Sequence, residues 1–442
     1  MTPVMLSRRS IFAQAWPIML GQVTVPLVGM VDTVVIGRTG DAVALAGVAL
    51  GATIINFLFW SFGFLRMGMT GLTAQAQGAD DDTEVRAMLA RGLLLGLGLG
   101  ILLFALQWVL VPLTLGLFAG GGELDAAAGG YITARFLGAP ASLAVFAVNG
   151  WLLGLGRTRS ALLLQIVMNC CNGILDIWFV WGFDMGAEGV GLGTAIAEWV
   201  ALGTGIAIAA RILGPRAISG LRARLFDLAA LKRLFAVNAD IMIRTVSLLL
   251  LFAWFANAGA RLGTETLAAN QVLMQFVSIA AFVLDGFAFT AESRVGNAIG
   301  RGQAEELKRA IRLIGEFSLA AGLFFALATG IAGSWLIGLI ATDPQVRALA
   351  RDFLPYTALV PLIGVPAWLL DGIFIGATRG KALRNAGVVT TLLYIATDFA
   401  LRPFGAHGIW IAFLISYAYR AGTLGVALPG LMRGIAEQRA SP

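Results

Sequence analysis

Asp32 stands in PLVGMVDTVVIG, flanked by apolar residues on both sides. A charge at mid-bilayer costs at least about 2.5–3.5 kcal/mol on insertion scales, so an ionisable residue in such a run marks a functional site by default. Desolvation brings the loading and release of a proton by this carboxyl within reach of ordinary pH. Further on, NCCNGILDIWF sets Asn172 and Asp176 four residues apart, on one face of a helix. Thr194 lies in the next apolar run, which returns from the opposite side and reaches about the depth of Asp176. These three residues and Asp32 can share one polar pocket. Two carboxyls there would couple, one holding a proton while the other is charged, and helix packing would then depend on protonation. Asn and Thr also serve as ordinary hydrogen-bonding glue between membrane helices.

A second group lies in LDGFAFTAESRVGNAIG, where Asp285 and Glu292 are seven apart and near one face, an anionic contact for a cationic ligand. Asp240 and Arg244 have the i, i+4 spacing of a self-neutralising pair. Arg66, in FLRMGMTG, has no acidic residue three or four positions away, so an acid across the cleft or snorkelling to the cytoplasmic edge would hold it, and Met67, Met69, Phe282, Phe287 and Phe289 add soft apolar surface suited to a cavity or to packing. The phosphate-cradling pattern GxxxxGK[ST] is absent and the single histidine, His407, falls in a turn, so ATP-driven transport and histidine-based hydrolysis have no support. No nucleophile and base stand in register for an enzyme. Cys170 and Cys171 are adjacent in an apolar run and form neither a disulfide framework nor a metal cluster, so no cofactor or metal is expected.

These residues need a membrane to act in. The chain has 442 residues, 58% apolar and 13% charged, against about 45–50% and 25% in soluble domains. Its mean hydropathy is +0.85. Apolar runs predict twelve spans, at 11–36, 44–76, 88–118, 127–153, 160–183, 189–211, 234–258, 266–298, 310–341, 352–377, 383–403 and 407–431. The basic start and first apolar run read as a span, since no small-residue cleavage site follows. On one face of this topology lie 22 Lys and Arg residues against 5 on the other, which predicts a multi-pass protein with both termini cytoplasmic. Basic residues form no block, so nucleic acid is not an expected partner. Residues 212–232 carry a Gly-Pro break and a basic amphipathic run, an interfacial linker.

The chain repeats itself at an offset of 222 residues. NGWLLGLGRT at 149–158 aligns with DGIFIGATRG at 371–380, matching Gly150 to Gly372, Gly154 to Gly376 and Arg157 to Arg379. Gly78 pairs with Gly300 and Asp176 with Asp398 at the same offset. An even number of spans per repeat makes the repeats parallel, with a cleft between them that can open to one side at a time. The expected division is an N-lobe over 1–211, a linker over 212–233 and a C-lobe over 234–442. The repeat is unequal in chemistry: Tyr394 stands in place of Asn172, and Phe413 lies near the mate of Thr194.

PLVGMVDTVVIG, FLRMGMTGLTAQAQGA, NGWLLGLGRT and LDGFAFTAESRVGNAIG together resemble the multidrug and toxic compound extrusion (MATE) family, and most of all its DinF branch, over nearly all twelve spans. The resemblance implies an all-α membrane fold of two six-helix bundles in a V shape. It implies monomeric, secondary active export of small organic compounds, often cationic and aromatic, in exchange for protons or sodium. It carries a proton site onto Asp32, Asn172, Asp176 and Thr194, and adds Tyr131 and Asn149. A substrate cavity would draw on Arg66, Met67, Met69, Asp285, Phe287, Glu292 and Asp371. The sodium-coupled branch uses a Glu in span seven and an Asp in span ten. Asp371 fits the second, but SLLLLFAWFANAG contains no acid, so protons are favoured as the coupling ion. A flippase for a lipid-linked precursor remains the alternative, weakened by a cavity with only Arg66 and Arg244 as cations.

Overall fold

In a bilayer core the backbone has no water to bond, so long apolar runs must satisfy their own N–H and C=O groups as helices. The computed structural model describes residues 6–118, 121–214 and 221–440. Its helices are α1 (Arg8–Gly37), α2 (Ala42–Trp60), α3 (Phe64–Gly78), α4 (Asp82–Phe118), α5 (Gly122–Phe136), α6 (Ala139–Gly154), α7 (Thr158–Ile177) and α8 (Gly186–Leu213). They continue as α9 (Leu221–Leu225), α10 (Leu228–Arg261), α11 (Thr264–Gly300), α12 (Ala304–Ile340), α13 (Pro344–Gly376), α14 (Gly380–Leu401) and α15 (Gly405–Ala440).

Three predicted spans are interrupted. The run 44–76 is α2 and α3, separated at 61–63. The run 127–153 is α5 and α6, bent by 53°, where Gly138 and then Pro140 remove a side chain and a backbone donor in succession. The run 160–183 ends in a π-helical turn, Trp178–Gly182. The apolar stretch Gly380–Arg433 has 54 residues, about 80 Å as one helix and more than twice a bilayer core. A 3-10 turn at Arg402–Phe404 and Gly405 at φ 56° divide it into α14 and α15, which pack on each other. Taking α2 with α3 and α5 with α6, and leaving out the five-residue α9, twelve crossing segments remain among the described residues.

The chain forms two compact units. One comprises residues 23–77 and 81–232, with α4 on α6, α7 on α8, α2 on α5, and α5 on α8. The other comprises residues up to 22, Gly78–Asp80 and residues from 233 onward, with α11 and α12 on α13 and α14 on α15. The first half of α1 thus packs with the second unit, although it opens the first repeat. Ile11 and Ala15 are fully buried in a cluster with Phe287, Ala291, Ala310 and Ile314. Gly78 follows because a Cβ there would collide with the Asn297 carbonyl.

Of the predicted linker, residues 215–220, with Pro215 and Arg216, lie outside the described residues, as do the chain ends on which the predicted cytoplasmic termini fall. The rest is pinned by Arg91 of α4. This side chain pairs with Glu84 at 2.6 Å and donates to the carbonyls of Arg224 and Leu225 in and beside α9. Asp227 then caps α10 by accepting from the N–H groups of Ala229 and Ala230, at 2.9 and 3.2 Å. Those donors hold its carboxyl below the usual range.

The 222-residue repeat is also a repeat of contacts. A Cβ on Gly150 would strike the Arg66 carbonyl, and one on Gly372 would strike that of Ala288, the mate of Arg66. Gly154 lies against the Thr70 carbonyl and Gly376 against that of Glu292, the mate of Thr70. Small residues let membrane helices approach to backbone contact, where packing replaces the missing hydrophobic drive. Gly154→Val and Gly376→Val are each expected to destabilise the protein by about 1–3 kcal/mol through overpacking, read as a lower unfolding midpoint in detergent. Gly98→Ala, in open space on α4, is expected not to lower it.

Candidate functional site

The first repeat gathers its polar residues near the end of α1. Asp32 is 6% exposed, Asn172 2%, Asp176 0% and Tyr131 4%. The Asn172 amide donates to Asp176 Oδ2 at 2.9 Å and to Thr194 Oγ1 at 3.0 Å. Thr194 in turn donates to the Val190 carbonyl at 3.0 Å, fixing its lone pairs toward Asn172. The carboxyls of Asp32 and Asp176 are within hydrogen-bond reach of one another. Two ionised carboxyls at such range repel strongly, so the arrangement is that of an acid pair sharing a proton. Gly193 makes it possible: a Cβ there would strike Asp176 Oδ1 and come 3.1 Å from its backbone nitrogen. Tyr131 sits on α5 with its ring over Gly51 and its carbonyl against Gly191.

The structure does not bring Asn149 into this cluster. It lies 18 residues beyond Tyr131, past the 53° bend, on the stretch of α6 that rests against the Arg66 carbonyl through Gly150, and its Oδ1 is buried without a hydrogen-bond partner among the described residues. Sequence reasoning missed Gly193, and it missed the ion pair of Arg135 with Glu198 at 3.0 Å between α5 and α8. The available signal was spacing, since Arg135 is four residues after Tyr131 and Glu198 four after Thr194.

At the corresponding place in the second repeat, Trp254 replaces Asp32. Its indole N–H donates to Asp398 Oδ2 at 2.9 Å, and the Arg261 guanidinium donates to the same oxygen at 2.7 Å. Asp398 Oδ2 is thereby engaged by two donors at once. The same position faces a second acid in one half and an indole with a guanidinium in the other.

The predicted cavity residues divide by role. Met69, 1% exposed, packs against Gly92, and Phe287 stacks on Phe317 at 5.8 Å beside Ile11; both are interior packing. Arg66 and Glu292 are buried, and Met67 and Asp285 are half-buried. Asp371 is bridged by both Arg244 and Arg420. Asp240 and Arg244, expected to neutralise one another, each find a partner on another helix. Asp240 meets Arg384 of α14 at 2.8 Å and Arg244 meets Asp371 of α13, because a cross-helix carboxylate can face the guanidinium squarely where one on the same helix must reach along the axis.

Twelve crossing segments in two repeats, with Asp32 and Asp176 buried against one another in the first, have the architecture of a membrane transporter. The MatE family model matches residues 17–178 and 241–400, and the chain belongs to that family of transport proteins. It is 38% identical over 418 residues to DNA damage-inducible protein F of Escherichia coli K12, covering 95% of this chain and 91% of that one. It is 26% identical over 452 residues to the multidrug resistance protein NorM of Vibrio vulnificus YJ016, covering 96% and 95%. The fold matches the Vibrio cholerae MATE transporter VcmN in its bent form with a TM-score of 0.86 at 20% identity, covering 97% of each chain.

Asp371→Asn leaves two buried guanidinium groups without their counter-charge and is expected to cost about 3–5 kcal/mol, seen as a large fall in the detergent unfolding midpoint. Asp32→Asn, which replaces one member of a protonated pair by a neutral isostere, is expected to leave that midpoint nearly unchanged.

Proposed function

We propose that the protein is a proton-coupled antiporter that exports small organic compounds, cationic aromatics among them, across the inner membrane by alternating access. The observation that carries this reading is the contact between Asp32 and Asp176. With a proton between them, α1 and α7 are held together through the two carboxyls, while Asn172 steadies Asp176 within α7 and ties α7 to α8 through Thr194. With the proton gone, two buried like charges face each other and the helices must part or admit water. Protonation is thereby linked to helix packing, which is the requirement for exchanging a proton against a substrate. Movement of the N-lobe, residues 1–211, against the C-lobe, residues 234–442, about the linker at 212–233 would carry the exchange, in a monomer with both termini cytoplasmic. The multidrug resistance names of relatives such as NorM support the substrate class.

Sodium coupling through the second half is disfavoured by chemistry at its carboxylates. Asp371 is occupied by two guanidinium groups, and Asp398 by Trp254 and Arg261. A flippase for a pyrophosphate lipid would need free cations, and Arg244 is engaged with Asp371.

In everted vesicles, Asp32→Asn is expected to abolish dye accumulation driven by an imposed pH gradient, with insertion and folding intact. Unimpaired export by this variant, or export that follows a sodium gradient at constant pH, would refute proton coupling at this pair.

A further inference from the structure

The first repeat holds a second buried charge feature. Arg135 Nη2 donates to Glu198 Oε1 at 3.0 Å, with the two side chains 8% and 7% exposed. Arg135 follows Tyr131 by one helical turn on α5, and Glu198 follows Thr194 by one turn on α8. The ion pair therefore continues the faces that carry the carboxyl cluster and adjoins it at a distance of one turn. The Phe59 ring of α2 covers the guanidinium at 5.4 Å. Gly138, at the bend between α5 and α6, lies against the Glu198 carboxylate and allows α8 to come close. Arg135 Nη1 is buried without a hydrogen-bond partner among the described residues, so one edge of the guanidinium remains available to another acceptor.

A buried ion pair is a weak source of stability, since a well-packed apolar pair of similar volume often does as well or better. Its presence in a membrane interior calls for a functional reason. The internal repeat supplies a comparison. At the mate of Arg135 the second half has Thr357, and at the mate of Asp32 it has Trp254; in the last helix of each half GAEG at 186–189 aligns with GAHG at 405–408, which sets Tyr417 at the mate of Glu198. The half that lacks the exchangeable carboxyl pair lacks this ion pair as well.

We propose that Arg135, held in place by Glu198, is a positioning residue of the proton switch that sets the pH at which the Asp32 and Asp176 pair gives up its proton. The proposal rests on the proton-coupling reading above. The charged and titratable groups facing the pair among the described residues are Tyr131 and Arg135 of α5 and, beyond Arg135, Glu198 of α8, while α2 contributes Phe59 and α6 contributes Ser142. Arg135 is thus the one cation there, and its field reaches both carboxyls. It favours their ionised form, while Glu198 offsets part of its charge.

The test is an infrared titration of the protonated-carboxyl band of the full-length protein in lipid vesicles. Asp32→Asn is expected to remove the pH-dependent band, and its survival would overturn the underlying proton reading. Given that loss, Arg135→Met is expected to move the band's midpoint upward by about one pH unit or more, as for a unit charge removed from a poorly solvated neighbourhood. Glu198→Gln, which frees the Arg135 charge, is expected to move it downward. Opposite signs would not arise from general loosening of the helices. The double variant Arg135→Met with Glu198→Met keeps the site neutral and packed, guards against misfolding of the single variants, and is expected to titrate upward. A midpoint unmoved in the double variant, or single variants that shift together, would overturn the role of Arg135.

Discussion

Inside a bilayer a charged side chain has no water to turn to, so it must meet a counter-charge or take up or release a proton. The described interior of this protein solves that problem mostly in the first way. Arg135 meets Glu198, Arg244 and Arg420 meet Asp371, and Arg261 meets Asp398. In each, the acid and the guanidinium come from different helices. Asp32 and Asp176 stand apart because each is the other's neighbour and both are acids. Two buried carboxyls at such range repel when both are charged, which is why the proposed exchange of a proton is assigned to this pair.

The two repeats share a framework and differ in what they do with it. The glycines at 150 and 372, and at 154 and 376, bring equivalent helices to backbone contact with equivalent carbonyls. Such contacts hold the paired helices at backbone distance and leave little room for a larger side chain between them. Onto that common scaffold the first half places Asp32 opposite Asp176, and the second half places Trp254 opposite Asp398. An indole N–H can only donate, so the second site is locked. A carboxyl can donate or accept according to its protonation, so the first can switch.

Backbone irregularities fall beside these sites. The bend between α5 and α6 carries Gly138 against Glu198, and the π-helical turn after α7 follows directly on Asp176. A π turn changes the direction of the next side chains by one residue's worth of rotation, and such turns often accompany functional positions. Trp181 in that turn donates to the Val35 carbonyl at 3.0 Å, tying the end of α7 to the end of α1 on which Asp32 stands.

Much of this was legible in the sequence. Hydropathy fixed the membrane class and the count of crossings because a bilayer demands about 20 apolar residues per helix whatever the tertiary fold. The 222-residue offset revealed the repeat because glycines needed for backbone contact cannot be replaced. Asp32, Asn172, Asp176 and Thr194 could be named together because a polar residue in an apolar run is conspicuous and helical spacing sets its face. Pairing was another matter. Spacing along one helix suggested Asp240 with Arg244, whereas Arg384 and Asp371 are the partners found across helices. It gave no hint that Trp254 and Arg261 close off Asp398. Local periodicity decides which residues share a face, but which faces meet depends on how distant segments pack, and only the tertiary structure carries that information.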